Sequence, residues 1–274
     1  MKDVAVLKRW KGLTWLVILV LLFCFSTGVY AKNNVLPDEV QVVKNEKEML
    51  CCLLNGMKNH KSQFSFYYSG IERDLKKYRK ESPAYKSLIE RIAKETGYIA
   101  GMLSGYCITV CGDEQEFINI QFSYSITKKQ ERRVDKEVKK IVKKIGNCTD
   151  ALKVKRAHDY LIRHMSYDER YYTSYHAFVK GRGVCMAYAL AYQRLLQEME
   201  IPCIYVKGEN HAWNMVKIGK YWYNVDVTWD DQSKNKYAYF LKSDSEFMGH
   251  KKRNNKEFNV KNKAKYSYDL NKIR

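Results

Sequence analysis

Apolar residues recur three and four positions apart between residues 46 and 60, where Met49, Leu50, Leu53, Leu54 and Met57 share one face. That period predicts an amphipathic helix. The pattern then changes: residues 62–71 (SQFSFYYSGI) are rich in aromatics, and residues 117–126 (FINIQFSYSI) alternate with a period of two, so each predicts a strand. Residues 72–80 and 85–98, between them, have helical spacing. A basic helix is expected over 128–145, with Val134, Val138, Ile141, Val142 and Ile145 on one face and Gly146-Asn147 as its stop. Thr149 or Asp150 can cap the next helix, 151–165, whose stripe is Val154, Ala157, His158, Leu161 and Met165. A further helix over 185–200 stops before Pro202, and strands follow at 203–206, 211–218 and 221–228.

With 46% hydrophobic residues, 22 Tyr and 10 Phe in 274 residues, the chain can bury a sizeable core, which excludes wholesale disorder. Its first 31 residues read differently from the rest. Lys2, Lys8, Arg9 and Lys11 precede an uncharged stretch, 12–31, with an apolar centre, the layout of a secretory signal cleaved before Lys32 or of an uncleaved membrane anchor. The expected location is therefore secreted or extracytoplasmic, with any membrane contact made through this segment alone. The formal net charge is +19, and most of the excess lies beyond residue 31. Outside the cytoplasm such a surface meets anionic wall polymers and lipid head groups, so nucleic acid is set aside as a partner. The expected organisation is a signal or anchor (1–31), a small α/β region of unassigned role (38–127), a catalytic domain (128–250) and a basic tail (251–274).

The chemistry concentrates in three residues. Cys185 follows Gly181-Arg182-Gly183-Val184 and opens a helix, where unpaired N–H groups and the positive dipole end favour a thiolate. Its own N–H can also face an oxyanion. Residues 217–220 read as a hairpin tip. A turn at Ile218-Gly219 sets His211 directly opposite Asp226, with Cβ atoms about 5 Å apart. A turn at Gly219-Lys220 offsets them by one pair on the same face, and a three-residue loop separates them. In either favourable register Asp226 orients the imidazole, whose other nitrogen pairs with the Cys185 sulfur.

The blocks GVCMAYALAYQRLLQEMEIPCIYVKG, HAWNMV and KYWYNVDVTWDD, in that order, resemble the core of the transglutaminase-like superfamily of papain-type cysteine enzymes. The likeness covers about residues 151–239, and the motif YAYFL with Ser243-Asp244 and His250 is similar to the end of bacterial exported members. The resemblance implies an α+β fold, with the nucleophile helix packed on an antiparallel sheet and Cys185, His211 and Asp226 as catalytic residues. It further implies a second oxyanion donor upstream of the nucleophile, for which Tyr171, Tyr172 and Tyr175 are candidates by position. Tyr175 and Trp213 are carried as the substrate-binding or oxyanion candidates.

Seven cysteines follow residue 31, an odd number that suits one free nucleophile, while Cys107 and Cys111 have loose zinc-like spacing without a second pair. No metal and no cofactor is expected. The expected activity is thioester-mediated attack on peptide or side-chain amides, as a peptidase or amidase of proteins or wall peptides. A cross-linking transglutaminase and a non-catalytic surface module binding an anionic cell-wall polymer are the alternatives.

Overall fold

The computed structural model describes residues 4–9, 41–69, 91–92, 97–111, 116–250 and 260–273. They fall into two compact units, the first holding the elements up to residue 69 together with 103–124, the second the remainder.

The first unit is a five-stranded sheet with one helix. Its strands are β1 (Val4–Arg9), β2 (Gln41–Val43), β3 (Gln63–Tyr68), β4 (Leu103–Cys111) and β5 (Glu116–Tyr124), in the order β1-β4-β5-β3-β2, with only the β2–β3 pair parallel. Helix α1 (Glu46–Lys58) forms where the apolar period predicts it; Asn45 caps it by accepting from the Glu48 N–H at 3.0 Å. Its Met49, Leu50, Leu53 and Met57 are buried, as are Phe66 of β3 and Ile118, Ile120 and Phe122 of β5.

Strand β4 is not among the expected elements although it carries a strand signal, Tyr106, Ile108 and Val110 alternating with Cys107, Thr109 and Cys111, and it pairs with β5 with a shift between Leu103 and Gly105. Residues 4–9 of the expected signal lie in edge strand β1, and the uncharged stretch 12–31 lies outside the described residues. So do the expected helices over 72–80 and, apart from Arg91, Ile92 and Gly97-Tyr98, over 85–98. Among the described residues no helix is long and apolar enough to cross a membrane.

The second unit begins with a helical turn, Tyr98–Gly101, and continues through α2 (Lys128–Ile145), α3 (Asp150–His164) and α4 (Cys185–Glu198). Thr127 and Gln130 close a reciprocal capping box on α2, and Thr149 caps α3. Two short strands, β6 (Ser166–Tyr167) and β7 (Arg182–Gly183), pair in parallel just ahead of α4. The antiparallel sheet β8 (Cys203–Lys207), β9 (Ala212–Ile218) and β10 (Tyr221–Val225) has β9 at its centre. Helix α4 is apolar on nearly every side, and Ala187, Tyr188, Ala189, Leu190, Ala191, Tyr192, Leu195 and Leu196 are all buried. Such a helix belongs at the centre of a core. It packs on β8 and β9 and against α2 and α3, and Asn214 of β9 donates to the Ala189 carbonyl at 3.0 Å. This is an α+β architecture with the helix that begins at Cys185 laid on an antiparallel sheet.

Two expectations change. The strand expected over 221–228 stops at Val225, because Asp226 caps a short helix, α5 (Val227–Gln232). The C-terminal stretch is no loose tail over 260–273: Trp222 donates to the Asn262 carbonyl and accepts from the Ala264 N–H, Tyr268 donates to the Leu241 carbonyl, and Ala264 is buried.

Gly183 has no room for a side chain. An added Cβ would lie 2.3 Å from the Ala187 Cβ and 3.1 Å from the Tyr171 carbonyl oxygen, both parts of the fixed frame around Cys185. Gly183→Ala is therefore expected to cost about 1–3 kcal/mol, the usual range for overpacking. A denaturant midpoint equal to that of the wild type would contradict this.

Candidate active site

The turn before Cys185 is built from two glycines with different tasks. Gly181 adopts φ +63°, the left-handed region, and a Cβ there would sit 2.7 Å from the His164 carbonyl oxygen; Gly183 admits the start of α4. The Ser166 N–H donates to the Gly181 carbonyl, and the Val184 N–H donates to the Tyr171 carbonyl at 2.7 Å, so the turn is pinned on both sides. Cys185 is then the first residue of α4. Its N-cap is Val184, which has no side-chain acceptor, whereas α1, α2, α3 and α5 are capped by Asn45, Thr127, Thr149 and Asp226. The first N–H groups of α4 thus keep their donor capacity beside the sulfur, where negative charge is favoured.

His211 and Asp226 reach this helix from the hairpin. Its turn is at Gly219-Lys220, with Ile218 opposite Tyr221 and Lys217 opposite Trp222, so the register is the offset one rather than the direct pairing. Gly219, at φ +56°, explains the shift, since it takes the left-handed turn position that Ile218 would otherwise have to share. The face is preserved. His211 Nε2 lies 2.6 Å from Asp226 Oδ2, leaving Nδ1 to face Cys185, whose sulfur favours a proton on the ring. Burial opposes charge on His211, but Asp226 and Cys185 outweigh it and raise the imidazole to about 9.

Asp226 is fully buried. Its Oδ1 accepts from the Thr228 N–H at 3.0 Å and the Trp229 N–H at 3.1 Å, while Oδ2 faces both His211 and His250 Nε2, the latter at 2.8 Å. Burial alone would raise this carboxyl; the two histidine bonds, the charge on His211 and the Trp229 N–H hold it below its ordinary value. One donor atom from each of His211, Asp226 and His250 lies within 4.8 Å of the others. Two hydrogen bonds to a shared oxygen account for that convergence, with Oδ2 standing between the two nitrogens.

Around this group stands an aromatic wall. Trp229 stacks on His211 at 4.9 Å, Phe247 stacks on His250 at 3.7 Å, and Trp213 and Tyr239 approach His250 edge-on. Trp213 is 1% exposed, so it lies beneath the site and is not a surface for substrate. Tyr175 spends its hydroxyl on Arg133 of α2 at 3.1 Å, and its ring packs against the core under α4. The tyrosines coupled electrostatically to the Cys185 sulfur are Tyr167 of β6, half-exposed, and Tyr205 of β8. Each phenol is raised, chiefly by burial and then by the sulfur. His176 accepts or donates at Thr173 Oγ1, 2.8 Å away, and does not join the site.

A second buried pair steadies α5. Asp230 sits one turn after Asp226; its Oδ2 is 2.9 Å from His158 Nε2 and its Oδ1 accepts from the Tyr239 N–H at 2.8 Å. His158, fully buried in α3, also faces Asp159 across 3.2 Å, and Asp159 is lowered to about 2 against the pull of burial by its bonds to His158, Lys155 and Tyr237. The spacing of Asp226 and Asp230 signals this arrangement in the sequence, and reading His158 only as part of an apolar stripe conceals it. Cys51, Cys52, Cys148, Cys185 and Cys203 are thiols outside any disulfide.

Residues 120–227 match the family model of the transglutaminase-like superfamily, which spans Cys185, His211 and Asp226. Over those residues the chain is similar to that superfamily. A solved structure described as a TGase is similar over 69% of this chain, at 14% identity and a TM-score of 0.35. This chain covers 59% of that structure's length. No curated protein matches the chain.

The histidine pair has a pH signature. The raised His211 contributes stability that is fully present below its unfolded value near 6.5 and is lost as pH rises through about 9. The lowered Asp226 contributes above about 3.9 and is lost on acidification. The melting-temperature difference between wild type and His211→Ala should therefore be largest near pH 6 and shrink above about pH 9. A difference constant over that range would contradict the assigned pairing.

Proposed function

We propose that the protein is an exported cysteine-dependent acyl-transfer enzyme that hydrolyses peptide or side-chain amides of proteins or cell-wall peptides. The observation that carries this reading is the array of Cys185 at an uncapped helix start, His211 beside it and Asp226 behind His211. Export rests on the residue pattern of 1–31, and the basic surface suits substrates embedded in anionic wall material.

In the proposed reaction the Cys185 proton already rests on His211 Nδ1, as the raised imidazole favours, and the thiolate attacks the amide carbon. The developing oxyanion is met by the free N–H groups at the start of α4. Collapse breaks the C–N bond, and His211 returns the proton to the departing amine, leaving a thioester on Cys185. Water, deprotonated by His211, then attacks the thioester; the acid leaves and the thiol is restored. A lysine-type amine in place of water would instead give a cross-link.

Cys185→Ala should lower turnover of peptide amides on the order of 10³-fold or more while leaving the fold intact. Product analysis with and without added amine separates hydrolysis from transfer. Unchanged turnover in Cys185→Ala would exclude this mechanism, and salt-sensitive binding to anionic wall polymer without turnover would favour a surface module.

A further inference from the structure

We propose that His250 is a positioning residue of this reaction centre, holding the Asp226 carboxylate in the orientation that aims His211 at Cys185. The inference rests on the acyl-transfer reading and extends it to a residue outside the matched span 120–227. His250 Nε2 lies 2.8 Å from Asp226 Oδ2, the oxygen that also takes His211, and Nδ1 lies 3.0 Å from the Met248 carbonyl oxygen. The carbonyl and the carboxylate can only accept, so both ring nitrogens carry a proton and donate, and rotating the ring about its axis would break both contacts. The side chain is 1% exposed and is clamped between Phe247 at 3.7 Å and Trp229 at 4.1 Å. Gly249, at φ +82° and close against the Trp229 ring, turns the chain so that residue 250 faces inward.

A carboxylate that anchors only one histidine can swing about its Cα–Cβ bond. Here Oδ1 is fixed by two N–H groups of α5 and Oδ2 by two histidines, which leaves no free rotation. The groups facing Asp226 are His211 from the start of β9, His250 from the 243–250 stretch, and Asp230 from α5, whose negative charge works against ionisation; Cys185 acts through His211. Removing the His250 bond leaves a buried carboxylate with one donor fewer, so it protonates at higher pH and lets His211 go earlier on acidification.

The test is the rate of Cys185 alkylation by iodoacetamide, mapped by mass spectrometry from about pH 4 to pH 9, in the full chain and in His250→Phe and His250→Gln. Phe keeps the stacking and removes the donor; Gln restores an N–H donor. His250→Phe should react about 10- to 100-fold more slowly at low pH, with its acid limb displaced upward, and His250→Gln should recover most of the rate. Superimposable profiles for wild type and His250→Phe would overturn the proposal. So would a Gln variant no better than Phe at equal melting temperature. If His250→Phe does not fold, the wild type decides: NMR should show hydrogen-bonded Nε2–H signals from both His211 and His250, and the absence of the His250 signal would overturn it. A wild type without any preference for Cys185 would refute the acyl-transfer reading instead, and the NMR pair would still decide His250.

Discussion

The buried carboxylate of Asp226 is the constraint on which the site depends. A carboxylate removed from water survives as an anion only if its lone pairs are met by donors. Asp226 meets that requirement with two N–H groups on one oxygen and two histidines on the other. The same four contacts start α5, end β10 and orient His211, so a single desolvated charge ties a helix, a sheet and the reacting imidazole together. Its backbone N–H also donates to the Tyr239 carbonyl, which brings the stretch bearing His250 to the same place. Inside an aromatic wall these polar contacts are worth more than at a surface, and leaving any of them unmade costs more.

The nucleophile is positioned by the opposite strategy. Where Asp226 is over-supplied with partners, the start of α4 is left short of them: Val184 cannot cap, and the first N–H groups remain for a ligand. The apolar length of α4 compensates by fixing its axis through burial on nearly every side. A rigid helix whose first turn is unsatisfied is suited to developing negative charge. The His158–Asp230 pair, one turn below, keeps α5 from drifting relative to α3.

Much of this was legible in the chain. Long periodic segments located α1, α2, α3 and α4, with α2 starting and ending at the expected residues, because capping side chains and a terminal glycine mark its limits. Cys185, His211 and Asp226 could be brought together on paper because a helix start and a hairpin face are local consequences of sequence. What was missed depended on tertiary contact. The capping carboxylate converted the end of a strand into α5. Trp213 could be placed on the right strand but not at the right depth, and His250, visible as part of a terminal motif, acquires a role only beside Asp226.

The central claim is that Asp226 organises the reactive thiol from a distance. It is tested most directly by comparing the labelling of Cys185 and Cys148 by limiting iodoacetamide near pH 6 in wild type and Asp226→Ala. Wild type should label at Cys185 first, since an ordinary thiol is about 1% ionised or less at that pH. Asp226→Ala should lose that preference. Undiminished selectivity for Cys185 without the carboxylate would contradict the account.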